Sequence, residues 1–133
     1  MDLKLVVHDR VLVAELTGRL TLREAVRVCM LACDGATERS RSAILLDASA
    51  VSGELTLFER YELGRTMAEY HMVRGGHHRV ALLGSPPSVT GFAALVASNR
   101  GVVAERFSDR QKAMEWLKST APGLSRARGN SES

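Results

Sequence analysis

Apolar positions follow two rhythms along this chain. Ile44, Leu45 and Leu46 form an unbroken apolar run that Asp47 stops, and a small-residue polar stretch carries the chain on to Thr56. A strand apolar on both sides is what a buried parallel sheet requires, because both of its faces are covered. Residues 3–7 and 11–16 flank a tight polar turn of His8, Asp9 and Arg10, and the second run puts Leu12, Ala14 and Leu16 on one face. That pattern predicts an antiparallel hairpin, ended by Thr17 and Gly18. Residues 80–83 and 102–107 supply two more short apolar runs of strand length.

Helical spacing fills the intervals. Thr21 and Glu24 stand in capping-box spacing, and Leu22, Ala25, Val26, Cys29 and Cys33 recur on one stripe. Thr56 and Glu59 repeat the box before Leu57, Phe58, Tyr61, Ala68 and Met72, with Gly64 on the same side as a point of close approach to the sheet. Arg74, Gly75 and Gly76 end that helix. Pro86 and Pro87 suit the first turn of a third helix carrying Val89, Phe92, Ala93 and Val96. Ser108 and Gln111 open a fourth, whose inner face is Ala113, Trp116 and Leu117.

The order is β-β-α-β-α-β-α-β-α, and each β-α-β crossover is right-handed. The expectation is an α/β domain over residues 1–120: a five-stranded mixed sheet with four helices, wound as a right-handed βα superhelix. Residues 121–133 are polar and small and are expected to form a disordered tail. If successive strands are neighbours, every helix falls on one face. Long side chains, a second subunit or a ligand must then cover the other, and an apolar face or the hairpin edge makes a homodimer an expectation.

Composition narrows the function. With 133 residues, 45% hydrophobic and 25% charged, the chain fits one soluble domain with a single core. It has no apolar run long enough for a bilayer and no signal-peptide pattern at its start, so a cytoplasmic protein without integral membrane association is expected. A net charge of +3, with few aromatics, is too mild to argue for nucleic acid. Arginine far outnumbers lysine, a hint of a GC-rich bacterial genome. Cys29 and Cys33 read as two buried apolar side chains, badly placed for a disulfide on one helix face.

Candidate chemistry gathers at the carboxyl ends of the strands, the working edge of parallel sheets. Asp47, Ser49, Ser52, Thr56 and Ser85 are the candidate binding residues there. Asp47 either orients a ligand or accepts backbone hydrogen bonds from the loop that it begins. Thr56 either takes a phosphate, at a helix start that favours one, or caps the helix with Glu59. His71, His77 and His78 run into a glycine turn, which points to solvent exposure, and no metal site or cofactor is expected from them. No nucleophile elbow, zinc-hydrolase motif or P-loop lysine is present, and Pro86 and Pro87 keep Ser85 from forming a sharp elbow. No enzyme activity is expected.

The segments VLVAELTGRLTL, ILLDASAVSG, RVALLG and AERFSDRQKAMEWL resemble the STAS / SpoIIAA-like family of bacterial anti-sigma-factor antagonists over roughly residues 3–118. The last segment is most similar to the stand-alone branch related to CRAL-TRIO lipid-binding domains. The resemblance implies a non-enzymatic regulatory module with a protein partner, a regulator or kinase-like protein. Its lipid-binding branch implies, as the alternative, a small apolar ligand. Family antagonists carry an Asp-Ser-Ser-Gly run whose second Ser takes a phosphate. Counted from Asp47, that run falls on Leu55, Thr56, Leu57 and Phe58, so the phosphoacceptor position is Leu57 and Thr56 falls on the first Ser.

Overall fold

The computed structural model describes residues 1–75 and 77–119; the expected tail over 121–133 lies outside the described residues. Nine elements follow one another: β1 (Asp2–His8), β2 (Val11–Arg19), α1 (Leu22–Glu38), β3 (Ala43–Ser52), α2 (Leu57–Val73), β4 (Arg79–Leu83), α3 (Phe92–Ser98), β5 (Val103–Phe107) and α4 (Arg110–Lys118). They form one sheet in the order β1-β2-β3-β4-β5. The β1–β2 pair is antiparallel and the other three pairs are parallel. Asp9 makes the hairpin turn at φ 62°, a conformation that its short polar side chain tolerates.

The central strand is β3. Its even and odd positions enter two different cores. Ile44 and Leu46 join Leu12 and Ala14 against Ala32, Cys33 and Ala36 of α1. Ala43 and Leu45 join Val11, Val13, Ala81 and Leu83 against Ala113 and Leu117 of α4. Helices therefore cover both faces, which corrects the one-sided arrangement expected above. The handedness rule binds a helix only when a parallel strand follows it. It fixes α1, α2 and α3, but α4 comes after the last strand and is free to cross. Among the described residues α4 covers the sheet face that was expected to seat a second subunit.

Element boundaries differ from the sequence pattern at four places. β3 does not stop at Asp47 but continues to Ser52, paired with β2 as far as Arg19↔Ser52. This extension passes beyond β4, whose pairing with β3 ends at Asp47↔Leu83. A β-bulge lets it continue: between Glu15↔Asp47 and Thr17↔Ala50, one residue of β2, Leu16, opposes two of β3, Ala48 and Ser49. Pro86 and Pro87 shape a turn and α3 begins only at Phe92. Asp109, not Ser108, caps α4, its carboxylate accepting from the Gln111 N–H at 3.0 Å. At Thr21 only half of the capping box forms, because the Glu24 carboxylate turns to Arg27 instead.

The largest departure is the orientation of α2. Leu57, Phe58, Tyr61 and Met72 were expected to face the core, yet all four are exposed. Its buried residues are Gly64, Ala68 and His71. Gly64 permits a close approach to α3 rather than to the sheet. A Cβ at that position would lie 2.5 Å from the Ala93 carbonyl oxygen and 2.8 Å from the Val96 Cβ. α2 thus packs chiefly on α1 and α3 and spans the space above the sheet between them.

Candidate functional site

The bulge in β3 builds the first part of the rim. The Asp47 carboxylate accepts from the Ser49 N–H at 3.1 Å and from the Ser49 hydroxyl at 2.6 Å. This local bond replaces the ladder bond that the extra residue forfeits. The other Asp47 oxygen accepts from the Arg110 guanidinium of α4 at 2.7 Å. Asp47 therefore combines the loop role with a tie between sheet and helix. The Asp47 side chain is only 15% exposed and is fixed by its neighbours, while the Arg110 side chain of the pair is half exposed.

The remaining candidates lie apart from that pair. The Ser52 carbonyl oxygen accepts from the Leu20 N–H at 2.8 Å, closing the end of the β2–β3 extension. Thr56 forms a complete capping box: its hydroxyl oxygen accepts from the Glu59 N–H at 3.1 Å, and its own N–H donates to the Glu59 carboxylate at 2.9 Å. Ser85 is exposed, and its carbonyl oxygen accepts from the Val89 N–H. The five residues share the carboxyl edge of the sheet, but among the described residues only Asp47 and Ser49 are bonded to each other. Beside Thr56, Leu57 is 64% and Phe58 70% exposed, two large apolar side chains standing at the rim.

Beneath α2 lies a cavity of about 100 Å³. Its floor is Ile44, Leu46, Val80 and Leu82 of the sheet; Cys29 and Cys33 of α1 and Ala93 and Ala97 of α3 form its sides, and Leu63, Gly64 and Met67 of α2 its roof. A second cavity, of about 60 Å³, continues toward the rim and shares Cys29, Leu46, Leu63, Leu82 and Ala93 with the first. Arg60, Ser88 and Thr90 line that outer end. Protein interiors hold few voids larger than a water molecule. The walls of the larger cavity are almost wholly apolar, so they offer water no hydrogen bonds.

Sequence reasoning missed Arg60. It stands in the first turn of α2, where the helix dipole disfavours a cation. Its side chain donates to the Pro87 carbonyl oxygen at 2.8 Å and, among the described residues, pairs with no carboxylate. The signal was in the spacing: Leu63 and Gly64 occupy the i+3 and i+4 positions where a carboxylate partner would stand.

The histidines and cysteines are also placed. His71 is buried rather than exposed, and its Nε2 accepts from the His78 N–H at 3.4 Å. Burial lowers the pKa of His78, with the charge of His77 a lesser cause. Among the described residues no group of three His, Cys, Asp or Glu could hold a metal ion. Desolvation pushes Cys29 up to about 12 and Cys33 up to about 11, so both thiols remain protonated and act as apolar wall.

No protein-family model matches the chain, and no curated protein matches it in sequence. Among described residues no helix is long and apolar enough to cross a membrane. Two solved structures are similar. One is the anti-sigma factor antagonist SpoIIAA in its unphosphorylated form, 13% identical over 89% of this chain and 99% of that one, with a TM-score of 0.48. The other is an uncharacterised DUF3478-family protein with a SpoIIAA-like fold from Shewanella loihica PV-4. It is 18% identical over 87% of this chain and 92% of that one, with a TM-score of 0.51. Together with the five-stranded mixed sheet and its four helices, the second similarity shows that this chain has the SpoIIAA-like fold, the architecture of STAS domains.

Proposed function

We propose that the chain is a non-enzymatic regulatory module that docks a protein partner, a regulator or kinase-like protein. The docking surface is the start of α2 with the neighbouring rim at residues 17–19, 47–56 and 84–88. The observation that carries this reading is the exposure of Leu57 and Phe58, 64% and 70%, beside polar rim residues. Large apolar side chains clustered on a surface and rimmed by polar groups are what an interaction site offers. The sequence resemblance to anti-sigma-factor antagonists supports the same class. Thr56 serves in this reading as the helix cap, because its hydroxyl oxygen is already engaged by the Glu59 N–H. The test is affinity capture from the native host with the wild-type chain, a Leu57→Ser/Phe58→Ser variant and a Val73→Ser control. A partner held by wild type and control but lost by the double variant supports the reading. Equal capture by all three overturns the docking surface, and phosphate found on Thr56 by mass spectrometry overturns the capping role.

A second reading, a small apolar ligand, is favoured by the cavity beneath α2. Its site is not an uncovered sheet face, which α4 fills, but the space between the sheet and the first three helices. Native mass spectrometry and lipid extraction of the purified protein test it. A co-purifying apolar molecule supports it, and protein that neither carries nor takes up such a molecule counts against it.

A further inference from the structure

We propose that the ligand beneath α2 is a medium-chain monocarboxylate, its tail in the two neighbouring cavities and its carboxylate paired with Arg60 at the outer end. This rests on the second reading above and assigns the ligand's chemistry. The two cavities are neighbours that share five lining residues; His71 and Val102 line the first alone, Ser88 and Thr90 the second alone. A molecule occupying both would be thin and extended rather than a compact ring system. At roughly 10–15 Å³ for each water-sized atom, they hold on the order of ten heavy atoms in line.

The walls set the polarity of each part. Apart from His71, the inner cavity is lined by aliphatic side chains, the Met67 thioether, glycine and protonated thiols, so nothing there compensates a buried charge. An ionised head group must stop at the outer end. There, Arg60 is partly exposed, holds only the Pro87 carbonyl oxygen and has no carboxylate partner among the described residues. Ser88 and Thr90 line the same cavity. A guanidinium with spare donors recognises a carboxylate through charge-assisted hydrogen bonds. An alcohol with the same tail would fill the cavities equally but leave Arg60 unneutralised.

The test is an NMR titration of the delipidated full chain with decanoate and with decanol, read at the Cys29, Leu63 and Ala93 amides. Both ligands are expected to shift these resonances, decanoate at least tenfold more tightly. Arg60→Gln is expected to abolish the difference, while Arg60→Lys, which keeps the charge, retains most of it. Decanol binding as tightly as decanoate, or a preference that survives Arg60→Gln, would overturn the head-group assignment and leave the apolar-ligand reading intact. No shift at these amides with either ligand would remove both.

Discussion

α1 and α2 have the same length, 17 residues each, and use it in opposite ways. α1 is amphipathic and lays Ala25, Val28, Ala32, Cys33, Gly35 and Ala36 into the protein interior. α2 buries only Gly64, Ala68 and His71, and leaves Leu57, Phe58, Tyr61, Met72 and Val73 in solvent. The first helix is held by the sheet. The second is held by its neighbours, above an apolar void. The difference teaches that two helices of one length can be held in different ways: one spends its apolar side chains on the core, and the other leaves them in solvent, on the surface proposed above to dock a partner.

This contrast can be broken or sharpened by substitution. The largest effect is expected in the solid part of the core. Leu45 is fully buried in the central strand under α4, and Leu45→Ala should cost about 3–5 kcal/mol in chemical denaturation. A loss under 1 kcal/mol would mean that the face under α4 is not the packed one. Gly64→Ala comes next. The new methyl meets the Ala93 carbonyl and Val96, so α2 must lift from α3, at a cost of about 1–3 kcal/mol. The helix propensity gained by replacing glycine offsets only part of this. A stabilised variant would show that α2 is less closely seated than the geometry has it.

Smaller effects test the start of α2. Thr56→Ala removes one hydrogen bond of a complete capping box and should cost about 1 kcal/mol by thermal or urea melting. Thr56→Ser should be nearly neutral. Leu57→Ser with Phe58→Ser should change stability by less than about 0.5 kcal/mol, as expected for surface sites, while abolishing partner capture. A large destabilisation by that pair would show these side chains to be packed, and the comparison with α1 would lose its basis.

Much of the architecture was legible in the sequence because it is written in local rhythm. The apolar run at 44–46, the alternation at 11–16 and the capping box at Thr56 and Glu59 each name an element. What was not legible follows from non-local causes. The side taken by α4 is not fixed by crossover handedness, because no strand follows it. The orientation of α2 was misread because its apolar residues lie around the helix circumference, and small Gly64 and Ala68 take the buried positions that large side chains would claim. The continuation of β3 past Asp47 was misread because Asp47, Ala48 and Ser49 have the composition of a loop while forming a bulge. The buried His71 was hidden by its polar, glycine-flanked neighbours, and the cavity by the fact that voids leave no mark in a sequence.

The central claim is that α2 is held by α1 and α3 rather than by the sheet, above an apolar space. Amide hydrogen exchange tests it most directly, by comparing residues 63–68 of α2 with residues 28–36 of α1. In the ligand-free protein, the α2 amides are expected to open locally and exchange at least tenfold faster than those of α1, which wait for global unfolding. Equal protection of the two helices would contradict the account.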